Sequence, residues 1–179
     1  MDIINKLKVE AFRNGIKLFR DACVLAKSGS NESAFALGVL AYEELGKCAL
    51  ADRQLDRVCL NPGSEEIARN DLAKLIKKHK TKQGWASFDT GGNDSTKWSN
   101  LDHQKQSALY VEYTVDKVIV PSVSNEKLQD LLKEVFRALN DIGDLPYYGV
   151  EGSSSEKSEW QAKKDIESIK GIYAEVSGL

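Results

Sequence analysis

Apolar residues recur at helical spacing along most of the chain. Over residues 3–28, Ile4, Leu7, Ala11, Leu18, Ala22 and Leu25 follow one another at intervals of three, four or seven, with Lys, Arg and Glu between them. That pattern predicts a long amphipathic helix. Ser28-Gly29-Ser30-Asn31 stops it, with Gly29 suited to the position just past a helix and Ser30 or Asn31 suited to capping the next. A second helix follows, from Asn31 to about Val58. On a 3.6-residue wheel Ala34, Leu37, Gly38, Ala41, Leu45 and Cys48 share one face, while Phe35, Val39, Leu40, Tyr42 and Leu50 cover most of the rest. A helix that is apolar nearly all round is buried on several sides.

Asn61-Pro62-Gly63 breaks the chain, and Ser64 is placed to cap a third helix with Glu65 and Glu66 in its first turn. Ile67, Leu72, Leu75 and Ile76 form its apolar side. Its end is the densest basic cluster in the chain: Lys74, Lys77, Lys78, His79, Lys80, and Lys82 just beyond. Residues 88–100, with Gly91-Gly92-Asn93-Asp94-Ser95, read as a loop. A helical turn or two is expected over about 101–107. The β-branched and aromatic run Leu109–Val115 and then Val118–Pro121, with Asp116-Lys117 between them, predict a short hairpin or extended excursion. Leu128, Leu131, Leu132, Val135, Phe136, Leu139 and Ile142 mark a further helix over about 125–142. Residues 145–155 read as a loop, and about 156–176 as the last helix, carrying Trp160, Ile166, Ile169, Ile172, Tyr173 and Val176. The expected fold is an all-α bundle of about five main helices, in one domain over residues 1–179, with an irregular or hairpin insertion near 108–121.

Composition narrows this little. The chain has 179 residues, of which 41% are hydrophobic and 29% charged, with a net charge of −2. No global basic field argues for nucleic acid, although a local basic site is compatible. The three cysteines, Cys23, Cys48 and Cys59, are an odd number without metal-ligand spacing, and read as reduced thiols. The N-terminal residues show no signal-peptide pattern, and no apolar run approaches the roughly 20 residues a membrane span needs. A cytoplasmic protein without membrane contact is expected.

The chemistry concentrates where polarity interrupts the second helix. Glu43, Glu44 and Lys47 sit in its middle. Glu44 lies at the edge of the apolar face, whereas Glu43 and Lys47 are one turn apart on the flank and can pair. A small rotation exchanges the two acids. A di-metal bundle would require Glu-x-x-His pairs on facing helices, and the chain has only two histidines and no such pair, so no metal or cofactor is expected. His79 and Lys82 share a face if helix continues through them. An imidazole beside ammonium groups can take a proton from a hydroxyl while lysines hold phosphate, as cleavage of RNA at a 2′-hydroxyl requires. His103 reads as a surface residue.

Glu43-Glu44-Leu45-Gly46-Lys47, then His79-Lys80-Thr81-Lys82, then Lys105 ahead of Leu109-Tyr110-Val111-Glu112 form an order that resembles the AbiV family of bacterial abortive infection proteins, single-domain helical members of the HEPN superfamily. The resemblance spans roughly residues 10–125. It implies phage defence, in which an infected cell halts growth, often by blocking translation. It also implies a homodimer with a ribonuclease site at the subunit interface. The positions it singles out are Glu44 with Glu43, Lys47, His79, Lys82, Lys105 and Tyr110. On that reading His79, Glu44 and Lys47 are catalytic, Lys82, Lys105 and Tyr110 bind RNA or phosphate, and Glu43 supports them. Many HEPN ribonucleases carry Arg four to six residues before His. Here Arg69 precedes His79 by ten, and Lys74 stands at the shorter distance. The rival expectation is a non-catalytic protein that blocks translation by binding a ribosomal or phage-encoded partner, with the Glu/Lys cluster structural.

Overall fold

The computed structural model describes residues 2–86, 101–110, 112, 113, 115, 117–143 and 155–178. The loops expected over 88–100 and 145–155 therefore lie outside the described residues, apart from Ser155. Seven helices and one hairpin are present among those described: α1 (Asp2–Lys27), α2 (Asn31–Leu60), α3 (Glu65–Leu75), α4 (His79–Ala86), α5 (Leu101–Leu109), β1 (Glu112–Tyr113), β2 (Val118–Ile119), α6 (Asn125–Gly143) and α7 (Ser155–Ser177).

The fold is all-α, built around α2. Helices α1, α3, α4, α5 and α6 all pack on it, which is why its apolar residues run nearly all round. Helix α7 packs on α1 and α6. The main core lies between α1, α2, α6 and α7, with Phe12, Phe19, Phe35, Tyr42, Leu45, Leu131, Leu132, Leu139 and Ile169 inside it. A second apolar cluster joins the start of α1 to the far half of α2 and to α3, through Ile4, Leu50, Leu55, Val58, Ala68 and Leu72. Between α1 and α2 a buried ion pair, Lys8–Asp52, crosses the interface.

The first turn between helices forms as its residues dictate. Gly29 has φ of 80° and donates to the Ala26 carbonyl, and Ser30 N–H donates to Leu25 O, a Schellman closure. The serine caps do not form as expected. Ser30 and Ser64 stand at the N-cap positions, but neither makes a side-chain cap bond. Ser64 has ψ of 8°, outside the extended region a cap needs, and contributes only its carbonyl, to Ala68 N–H.

The largest departure concerns the third helix, whose expected course runs on through the basic cluster. It ends at Leu75, the chain turns over Ile76–Lys78, and His79 opens α4. A single helix would align Lys74, Lys77 and Lys78 along one end and leave Lys82 in solvent. The break instead lets α4 run back along α2, burying Lys82, Gln83 and Ala86. His79 lies beside Glu43 and Trp85 beside Arg53, so α4 and α2 run in the same direction.

Helix α5 is a full nine residues and presents Lys105 inward. The insertion is a hairpin, with β1 antiparallel to β2 and Glu112 opposite Ile119.

Candidate functional site

Gly46 sets the geometry of the site. A Cβ on Gly46 would stand 1.8 Å from the Lys82 carbonyl oxygen and 2.5 Å from its carbonyl carbon. Only hydrogen fits there, so backbone meets backbone and α4 lies against α2 as closely as two helices can. Glu43, one turn before Gly46, faces the same neighbour.

Glu43 is therefore the inward acid. It is 3% exposed and gathers side chains from two other helices. Its Oε2 is 2.8 Å from His79 Nδ1 and 2.9 Å from Lys82 Nζ. Its Oε1 accepts from Gln83 Nε2 and from Lys105 Nζ, each at 3.3 Å. Asp102, one turn before Lys105 on α5, completes the group with an ion-pair contact of 2.9 Å to Lys105 Nζ, at an angle outside hydrogen-bond geometry. Four partners around one carboxylate are what a buried charge requires.

Burial alone pushes the Glu43 carboxyl up. The hydrogen bonds from Lys82 and His79, with the charges of Lys82 and Lys105, override it and hold the group below the usual carboxylate range. Burial likewise pulls the Lys105 ammonium down, but Asp102 and Glu43 outweigh it and the net direction is up. Asp102 is held low, first by its contact with Lys105. Two carboxylates thus face two ammonium groups, and the cluster is neutral while the imidazole is neutral.

Glu44 and Lys47 lie elsewhere. They pair with each other one turn apart on the half-buried flank of α2, rather than Lys47 with Glu43. The close contact at Gly46 fixes the rotation of α2, turning Glu43 toward α4 and Glu44 away. Lys82 and Lys105 belong to the cluster, but their side chains are 8% exposed and turned to the carboxylate. His79 and Asp102 are the accessible members, with side chains 48% and 45% exposed. Tyr110 follows α5 with 61% exposure and is not among the groups bonded to Glu43, and His103 is also exposed.

Sequence reasoning missed Gln83 and Asp102. Both were within reach of helical spacing: Gln83 follows His79 by four residues, and Asp102 precedes Lys105 by three.

A neutral His79 donates its Nδ1 proton to Glu43, which fixes the tautomer and leaves the Nε2 lone pair free to take a proton. Ligand atoms of Glu43, His79 and Asp102 also converge within 4.8 Å, as a metal site would need. They suit a cation poorly. Both Glu43 oxygens are already engaged, and a divalent ion would have to enter beside two ammonium groups.

One helix-borne acid thus holds a histidine and two lysines from neighbouring helices inside an all-α bundle, and the family model that the chain matches is of HEPN type. The AbiV family model matches residues 3–140, and the chain belongs to that family. The match takes in every residue of the cluster and stops inside α6, leaving α7 outside it. No curated protein and no solved structure is significantly similar to the chain.

Proposed function

We propose that this protein is an abortive-infection effector that halts growth of the infected cell by metal-independent RNA cleavage, acting in the cytoplasm as a homodimer. The observation that carries this reading is the Glu43–His79 contact. A nearly inaccessible carboxylate holds Nδ1 of a half-exposed imidazole, which is how a general base is oriented.

In the reaction, His79 Nε2 takes the proton of a ribose 2′-hydroxyl. The O2′ attacks the adjacent phosphorus, and the bond to the 5′-oxygen breaks. That oxygen takes a proton from water and the His79 imidazolium returns its own to solvent, leaving a 2′,3′-cyclic phosphate and a 5′-hydroxyl. Lys82 and Lys105 are positioning residues. They hold Glu43 ionised and so keep its carboxylate against His79 Nδ1. Exposed Lys74, Lys77 and Lys78 attract the RNA backbone toward the open face of His79. Glu44 and Lys47 have no part in this scheme beyond the flank of α2.

A second reading is a non-catalytic protein that stops translation by binding a ribosomal or phage-encoded partner. The number of buried bonds on Glu43 favours it, since such a network also serves as pure scaffold. His79→Ala separates the two. The RNase reading expects loss of growth arrest and of RNA cleavage by the purified protein, with an unchanged thermal melt. It also expects cleavage to persist in excess chelator. Arrest that survives His79→Ala would reject it in favour of the binding reading, and chelator-sensitive cleavage would reject the metal-free chemistry.

A further inference from the structure

The last three turns of α2 carry a feature that the Glu43 cluster does not use. Arg53, Gln54, Asp56, Arg57, Leu60 and Asn61 line a groove of about 510 Å³, within the size of small-molecule sites. Gln54 is 6% exposed, and its Oε1 has no hydrogen-bond partner among the described residues. A buried amide oxygen without a donor is costly, and the usual remedy is a ligand or a water. The terminal torsion of a glutamine is soft, so the amide can turn to meet a donor lying in the groove.

The neighbours of Gln54 narrow the class of ligand. Arg53 lies with its guanidinium 4.7 Å from the centroid of the Trp85 ring, a stacked pair that offers a flat cationic surface. Arg57 is occupied by Asp71 at 2.8 Å, which leaves Arg53 as the cation to meet an anion. Leu60, largely exposed, supplies apolar surface. Asp56 also lines the groove, and its negative charge disfavours a polyphosphate more than a single phosphate. An amide edge beside a guanidinium held flat by an indole behind it offers what a base joined to one phosphate needs, a hydrogen-bonding edge and a cation.

We propose that this groove binds a nucleotide, its base edge donating to Gln54 Oε1 and its phosphate meeting Arg53. Two sources share this chemistry, a free mononucleotide and one residue of an RNA strand. The second rests on the RNA reading above and deepens it, because the groove lies near the site. Arg53 follows Glu43, which holds His79, by ten residues of α2, about 15 Å, and Trp85 follows His79 by six residues of α4, about 9 Å. A short strand with its reacting ribose at His79 can place a base a few nucleotides further along it there.

The test is calorimetric titration of the full chain carrying His79→Ala, so that RNA is not cut, with AMP, CMP, GMP, UMP, inorganic phosphate and a single-stranded RNA hexamer. Binding that falls at least tenfold in both Arg53→Ala and Gln54→Leu supports the proposal. Mononucleotides binding as tightly as the hexamer identifies a free nucleotide; binding by the hexamer alone identifies RNA. No binding of either, or binding that both substitutions leave unchanged, overturns the proposal. Should Gln54→Leu fail to fold, Gln54→Asn, which withdraws the amide by one methylene, carries the same comparison. The two readings fail separately. Nucleotide binding without RNA cleavage by the unsubstituted protein keeps the groove and rejects the RNase reading. Cleavage without such binding does the reverse.

Discussion

Replacing Glu43 by Gln keeps the shape of the side chain and removes its charge. Lys82 and Lys105 are each 8% exposed and both rest on this carboxylate. Lys105 retains Asp102, 2.9 Å away, so Lys82 is the ammonium left stranded. Breaking a buried pair by removing one partner costs about 3–5 kcal/mol. That is a large share of the roughly 5–15 kcal/mol that holds a folded domain together. With a urea slope of about 2–3 kcal/mol per molar, the unfolding midpoint should fall by roughly 1–2 M. Glu44→Gln is the control. It removes a partly buried partner of Lys47, whose own side chain is 24% exposed and can still reach water, and should cost clearly less than Glu43→Gln. The acid limb gives an independent check. The Glu43 carboxyl is held low in the folded state, so its stabilisation is complete above the unfolded value of about 4.3 and is lost as pH falls through the lower folded value. The Glu43→Gln protein lacks that contribution, so its disadvantage should shrink as the medium is acidified. The reasoning is refuted if Glu43→Gln melts within about 1 kcal/mol of the parent at neutral pH, or if Glu44→Gln costs as much.

Gly46→Ala should destabilise by at least about 1–3 kcal/mol and lower the melting temperature by several degrees, because the new methyl meets the Lys82 backbone and α4 must move away; a silent substitution would mean that α4 does not lie there. Lys8→Met should cost about 3–5 kcal/mol by leaving Asp52 buried without its cation, and Lys8→Met with Asp52→Leu should recover most of it in the same denaturation assay. Cys23 and Cys48 are buried, and burial pushes both thiols up to about 12, whereas Cys59 is exposed. A thiol reagent at neutral pH should therefore label Cys59 rapidly and the other two only after unfolding, as read by mass spectrometry.

Much of the architecture is legible because it obeys local rules. The period of Ile4, Leu7, Ala11, Leu18, Ala22 and Leu25 specifies α1, and the stripe from Leu128 to Ile142 specifies α6. Gly29 announces its own turn. The break between α3 and α4 was not legible, since Ile76–Lys78 contains neither proline nor glycine. Residues further along the chain impose it, because Lys82, Gln83 and Ala86 gain burial against α2 only if the chain turns back at that point. Ser64 shows the opposite failure. The residue type promises a cap, but the backbone angle that tertiary packing sets withholds it.

The sequence by itself determined the helical class and the central, all-round apolar character of α2. It also determined the family, through Glu43-Glu44-Leu45-Gly46-Lys47 and the histidine and lysines that come after it in order. Which of the two adjacent acids serves the site was decided only by the tertiary structure. Neighbouring positions on a helix differ by about 100° of rotation, and no local rule fixes the absolute angle of a helix that is apolar nearly all round. The contact of Gly46 with the Lys82 backbone supplies that angle. It turns Glu43 into the cluster with His79, Lys82, Gln83 and Lys105, and it leaves Glu44 to Lys47 on the flank.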